Sequence, residues 1–309
     1  MVLRRILFSL ILFCCGCFST TVAAKELEQV TLQLNWKFQF ESAGFIAAVE
    51  KGFYAEAGLD VTLLEYQPGS DVVENVLDHT TNYGIHNSSL IIVNEKIQPI
   101  VLLATYLQRS PLVLVTTPKI DNPIDLRGKK IMGTKNEFKY SSLALLLNHF
   151  QINTDNSQIT EHTFAIEDFL NGKVDAMSAF RSNQIYDLDQ LDIEYNIIDP
   201  ADYGFFASAV NLFTSKEEAL DYSDRTQRFI SASNKGWEYA LAHSDELVKL
   251  IHEKYTPEKS IAAITVAANA TRDMFMRDFY PIGAVNPELT TRIYKQLIER
   301  QILDQGQIL

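Results

Sequence analysis

The chain has 309 residues, 47% of them hydrophobic, and a formal charge of −12 at pH 7. A surface that acidic argues against nucleic acid and anionic membranes as partners. All three cysteines, Cys14, Cys15 and Cys17, sit near the start, so the remainder can form no disulfide, cysteine zinc site, redox pair or thiol nucleophile.

Met1 to Ala24 places Arg4 and Arg5 before an apolar run from Ile6 to Phe18 and ends in Val22-Ala23-Ala24. That order predicts a cleaved secretory leader, too short for a membrane span. Neither Cys15 nor Cys17 follows a good lipid-attachment box. The rest of the chain exceeds one typical domain and suits two α/β lobes.

Val30 to Leu34 alternates as a strand, and apolar residues recur at helical spacing from Ser42 to Ala57. Gly58 then precedes a second strand, Asp60 to Tyr66. Between the first strand and the helix, Trp36, Phe38 and Phe40 alternate with Asn35, Lys37, Gln39 and Glu41. An aromatic loop at the carboxyl end of a strand is where open α/β sheets bind ligands. Its rings can stack on a flat ligand that Asn35 or Glu41 orients, or equally plug the top of the core.

Ser70 is the predicted N-cap of a helix from Asp71 to Leu77, and its position after Gly69 also suits a bound carbonyl or anion. Strands are expected at Asn82–His86, Pro99–Tyr106 and Leu112–Thr116, with a helix at Leu90–Lys96. Beyond them lie a short capped helix from Asn122, a strand at Lys130–Gly133 and a helix at Phe138–Phe150. Further segments follow at Thr160–Thr163, Ile166–Asn171, Val174–Ala179 and Tyr195–Ile198. Ser208–Thr214 is the last strand, and amphipathic helices occupy the remainder. No HExxH, GxSxG or GxxxxGK pattern is present, so no catalytic residue, metal or cofactor is predicted.

Trp36, Gly44, Ala47, Lys51, Gly52, Phe53, Tyr54, Gly58, Leu59 and Val61 together resemble the opening of the periplasmic substrate-binding proteins of the thiamine-precursor-binding type. These are relatives of the yeast pyrimidine synthase and of the sulfonate-, taurine- and nitrate-binding proteins. The resemblance implies a two-lobed α/β fold of periplasmic binding protein type II, with mixed sheets flanked by helices and two crossovers as the hinge. Residues 25–110 and 206–309 would form lobe 1, and 111–205 lobe 2, with crossovers at Gln108–Pro111 and Asp199–Phe205. Candidate ligand contacts in lobe 1 are Asn35, Trp36, Phe38, Phe40, Glu41, Ser70, Asn87 and Ser88. Those in lobe 2 and the hinge are Arg109, Lys135, Asn136, Glu137, Arg181, Asp202 and Tyr203.

The implied protein is a monomeric periplasmic carrier, not an enzyme, that delivers a small aminopyrimidine-like ligand to an ABC permease. The segment from Asp202 to Leu241 also resembles versions of the domain on sensor kinases and cyclases, so a receptor docking on a membrane sensor is the alternative. A sulfonate held by Arg109, Lys135 and Arg181 is another. An enzyme of pyrimidine metabolism fits least, because the synthase branch has a cysteine-rich segment that this chain lacks.

Overall fold

A computed structural model describes residues 26–88, 90 and 100–299. The leader and all but Leu90 of the expected 90–96 helix lie outside the described residues. Ten strands form two sheets. The first contains β1 (Glu28–Gln33), β2 (Leu59–Leu64), β3 (Tyr83–His86), β4 (Ile100–Leu107) and β10 (Ala209–Ser215), and the second contains β5 (Leu112–Thr116), β6 (Lys130–Gly133), β7 (Gln158–Glu161), β8 (Ala176–Phe180) and β9 (Asn196–Ile198).

The sheets follow one plan, β2-β1-β3-β10-β4 and β7-β6-β8-β5-β9. In each, four strands run the same way, and the one antiparallel member, β10 or β5, arrives from the other sheet's half of the chain. Between β4 and β5 and again before β10, the chain therefore crosses from one lobe to the other. The crossings are tied together by the Ser110 N–H donating to the Ala207 carbonyl at 2.9 Å.

The first expected helix is broken in two, α1 (Ala43–Glu50) and α2 (Phe53–Glu56), because Gly52 adopts a φ of +77° between them. α3 (Val72–Leu77) follows. Its N-cap is Asp71 rather than the expected Ser70, the carboxylate accepting from the amides of Val73 and Glu74 at 3.1 and 3.3 Å. The expected 138–150 helix is likewise split into α4 (Lys135–Tyr140) and α5 (Ser142–His149). Ser141 is extended there and caps the second piece by accepting from the Leu143 amide. Lobe 2 continues with α6 (Glu167–Leu170) and α7 (Gln184–Asp189).

The chain ends in α8 (Lys216–Asp221), α9 (Ser223–Ala242), α10 (Ser244–Lys254), α11 (Ile261–Met274) and α12 (Pro287–Glu299). Four of these follow lobe 1, whose core joins Trp237, Phe45, Tyr106 and Phe275. α12 instead packs Ile293 among Leu112, Phe205 and other residues of lobe 2. Among the described residues no helix is long and apolar enough to cross a membrane.

α1 and α9 approach through two glycines. A Cβ on Gly236 would run into the Gly44 carbonyl, and one on Gly44 into the Trp237 indole. Because a backbone carbonyl has no rotamer to move, Gly236→Ala is expected to destabilise the chain by about 3 kcal/mol in urea unfolding; an unchanged midpoint would show that the helices can separate freely.

Candidate ligand-binding cleft

The loop after β1 is pinned against lobe 1 by its own backbone. The Tyr66 N–H donates to the Trp36 carbonyl at 3.2 Å, and the Phe38 N–H donates to Glu65 Oε1 at 2.6 Å. So held, the Trp36 side chain leaves its own lobe. Its indole stacks on Phe180 at the end of β8, ring centroids 5.1 Å apart and planes 17° from parallel. The edges of His162 and Phe164, just after β7, lie 5.1 and 4.9 Å away. The indole is only 4% exposed.

Polar contacts flank the rings. Ser182 donates to the buried Glu41 carboxylate, and Asn183 donates its amide to Gln39. Lys259 Nζ, from the loop before α11, reaches Asn183 Oδ1 at 2.5 Å. On another part of the seam, Asp71 and Glu74 face Lys139 at 2.9 and 3.2 Å and Lys135 at 3.8 and 3.5 Å. The Tyr66 hydroxyl donates to Glu161 at 2.7 Å.

Burial pushes the Glu41 carboxyl up, partly opposed by its Ser182 bond and by Lys259. Its Oε2 is buried without a hydrogen-bond partner among the described residues and borders a cavity of about 20 Å³ with Asn35, Trp36, Gln39 and Phe180. That space holds about one water-sized sphere, so anything larger must part the lobes. Two wider spaces lie along the seam, the first sharing Trp36, Lys37 and Gln39 with this cavity. One of about 630 Å³ lies beside Trp36, His162, Phe164, Asp187 and Lys259, and one of about 540 Å³ lies at the crossings, beside Arg109 and Arg181.

Trp36, Asn35 and Glu41 thus share the centre, and Phe38 lies on its outer side, edge-on to Tyr255. Phe40 is fully buried in the lobe 1 core and does not line the cavity. Ser70 is half-buried next to the true cap. Ser88 is spent on the crossing, its Oγ accepting from the Ser208 amide at 2.9 Å, while buried Asn87 accepts at its carbonyl from the Leu90 amide.

Lys135 belongs to the charged contacts across the seam, and the Asn136 side chain lies outside the described part of the chain. Arg109 and Asp202 line the hinge-side space, where Arg181 pairs with Asp199 at 3.1 Å. Tyr203 packs edge-on against Phe150. The sequence reading names Arg181 but not its near neighbour Asn183, nor Gln39, His162 or Lys259, as a ligand contact.

Glu137 is buried inside lobe 2 and shares Ser178 with His162, whose Nε2 meets the Ser178 carbonyl at 3.0 Å. It is the last member of a capping box with Thr134, whose amide donates to it at 2.7 Å, and it accepts from Ser178 at 2.6 Å. Burial lifts its carboxyl to about 7, against those hydrogen bonds and with help from Glu161. Between about 4.5 and about 7 the folded chain therefore holds a proton that the unfolded chain has lost, so stability must fall as pH rises through that window, by on the order of 3 kcal/mol. Glu137→Gln is expected to flatten much of that decline in melts at pH 4.5 and 7.5. A decline left at full size would assign it elsewhere.

Two lobes with matching mixed sheets, a double crossing and contacts converging between them define the periplasmic binding protein fold. The chain belongs to the NMT1/THI5 like family, whose profile matches residues 39–247. It is 23% identical over 289 residues to the riboflavin-binding protein RibY of Chloroflexus aurantiacus, covering 87% of this chain and 80% of that one. It is 24% identical over 251 residues to the formylaminopyrimidine-binding protein of Halalkalibacterium halodurans, covering 78% and 75%. Among solved structures, the periplasmic aliphatic sulphonate binding protein SsuA of Escherichia coli superposes with a TM-score of 0.59 at 16% identity, over 90% of this chain and 94% of that one.

Proposed function

We propose that this chain is a periplasmic solute-binding protein that carries a planar nitrogen heterocycle of the aminopyrimidine type to an ABC permease, with no chemistry of its own. The observation that carries the reading is Trp36 lying flat on Phe180 across the seam, beside the unpartnered Glu41 oxygen. Two parallel rings from opposite lobes can part by one ring thickness and admit a third between them. Glu41 then receives the ligand's N–H groups. Residues 25–110 and 206–286 move as lobe 1 against 111–205, which carries α12 on its core, bending at the crossings, and the leader directs export.

The names of the riboflavin- and formylaminopyrimidine-binding relatives support a flat nitrogenous ligand. The local charge supports it too. Arg109 and Arg181 share the hinge-side space with Asp199, Asp202 and Asp273, leaving no surplus positive charge for a sulfonate. Lys37 and Lys259 are likewise outnumbered in the outer space by Glu65, Glu167, Asp187 and Glu258.

Titration calorimetry on chain unfolded and refolded to remove carried ligand tests this. It is expected to show binding of 4-amino-5-hydroxymethyl-2-methylpyrimidine and none of methanesulfonate. Trp36→Ala should weaken the pyrimidine at least about tenfold, the worth of one lost stacking face and its buried area. Undiminished affinity in that variant would move the ligand elsewhere.

A further inference from the structure

Two polar side chains from lobe 1, Gln39 and Glu41, border the proposed ring slot, and each meets a partner from lobe 2, Asn183 and Ser182; all four are more than nine-tenths buried. Lobe 2 does the donating in both contacts, Ser182 to Glu41 and Asn183 Nδ2 to Gln39 Oε1. For a serine and an ionised carboxylate that direction follows from chemistry. For two carboxamides it does not, since either end of an amide can turn toward the other.

Lys259 removes the choice. Its ammonium, 2.5 Å from Asn183, has donors only, so the atom it meets must be the amide oxygen. With Oδ1 held there, Nδ2 is left pointing at lobe 1, and Gln39 must answer with its oxygen. Burial pulls the Lys259 ammonium below its ordinary range, and the nearby Asp187, Glu41 and Glu258 carboxylates oppose that only in part.

We propose that Lys259 is a positioning residue which sets the hydrogen-bonding sense of the two contacts beside the slot, acceptors from Gln39 and Glu41 and donors from Ser182 and Asn183, so that the slot takes heterocycles with one donating and one accepting edge. This rests on the reading that the ligand lies between Trp36 and Phe180. A ring entering there breaks both contacts, and each buried group must find a new partner in it. An aminopyrimidine answers both sides, its exocyclic amine donating toward Glu41 and Gln39 and its ring nitrogens accepting from Ser182 and Asn183. A sulfonate offers acceptors alone and satisfies only lobe 2.

The test compares 4-amino-5-hydroxymethyl-2-methylpyrimidine with its 4-methyl counterpart, which has the same shape without the donor, by calorimetry on the whole refolded chain. The native protein is expected to prefer the amino probe by about a hundredfold or more, as sites built around a hydrogen bond do. Lys259→Met frees the amide to turn and should shrink that preference to below about tenfold, and Lys259→Arg should restore it. Asn183→Asp keeps the shape but loses the donor, and should bind the amino probe about tenfold less tightly, which keeps the proposal testable where Lys259→Met folds poorly.

Equal affinity of the native chain for both probes, a native preference retained in Lys259→Met, or undiminished affinity in Asn183→Asp overturns the assignment while leaving the ring slot standing. Binding of methanesulfonate with neither pyrimidine overturns the slot as well.

Discussion

The seam between the lobes is organised by one aromatic contact, the Trp36 indole lying on Phe180 with 5.1 Å between centroids. A stacked pair of this kind contributes on the order of 1 kcal/mol beyond the area it buries, enough to register the lobes and too little to weld them. The contact exists because the β1–α1 loop is anchored by Tyr66 and Glu65 of its own lobe, which leaves the indole free to reach across. A planar guest that separates the two rings meets a face on each side, so the cleft exchanges one stacking contact for two.

Charge is arranged around that contact in two ways. Asp71 is buried, yet its carboxyl is held below the usual range: burial pushes it up, and the Lys139 ammonium, the helix-start amide of Glu74 and Lys135 together outweigh that. It therefore caps α3 and anchors a cross-seam ion pair with one side chain. Glu41 and Glu137 are buried without so close a cation, and both are pushed up. Both carboxyls take up a proton more readily than an exposed one does, whereas Asp71 stays charged and committed to holding the lobes together.

The strand plan was legible in the sequence, to within a residue or two at each end, because the strands are short apolar segments set off by turn residues; β1 and β2 alternate, while β3, β5, β8 and β10 are buried runs that do not. Helix breaks were not legible. Lys51-Gly52 and Ser141 interrupt apolar periodicities that run on through them, and only the left-handed φ of Gly52 and the extended backbone of Ser141 show the stop. Asp71 displaced Ser70 as a cap because a carboxylate one residue later accepts from two amides at once.

In the cleft, an alternating aromatic loop marked Trp36 and Glu41 but could not say which rings face outward, and Phe40 turned into the core. Gln39, Asn183 and Lys259 are separated by many tens of residues and converge only through the fold. No local pattern marks a lysine whose function is to orient an amide.

The most direct test of the account is a crystal structure of the refolded chain grown with 4-amino-5-hydroxymethyl-2-methylpyrimidine. The account predicts the pyrimidine lying between Trp36 and Phe180, the two side-chain rings parted to about 7 Å, two van der Waals thicknesses of a flat ring. A pyrimidine bound elsewhere, with Trp36 still against Phe180, would contradict it.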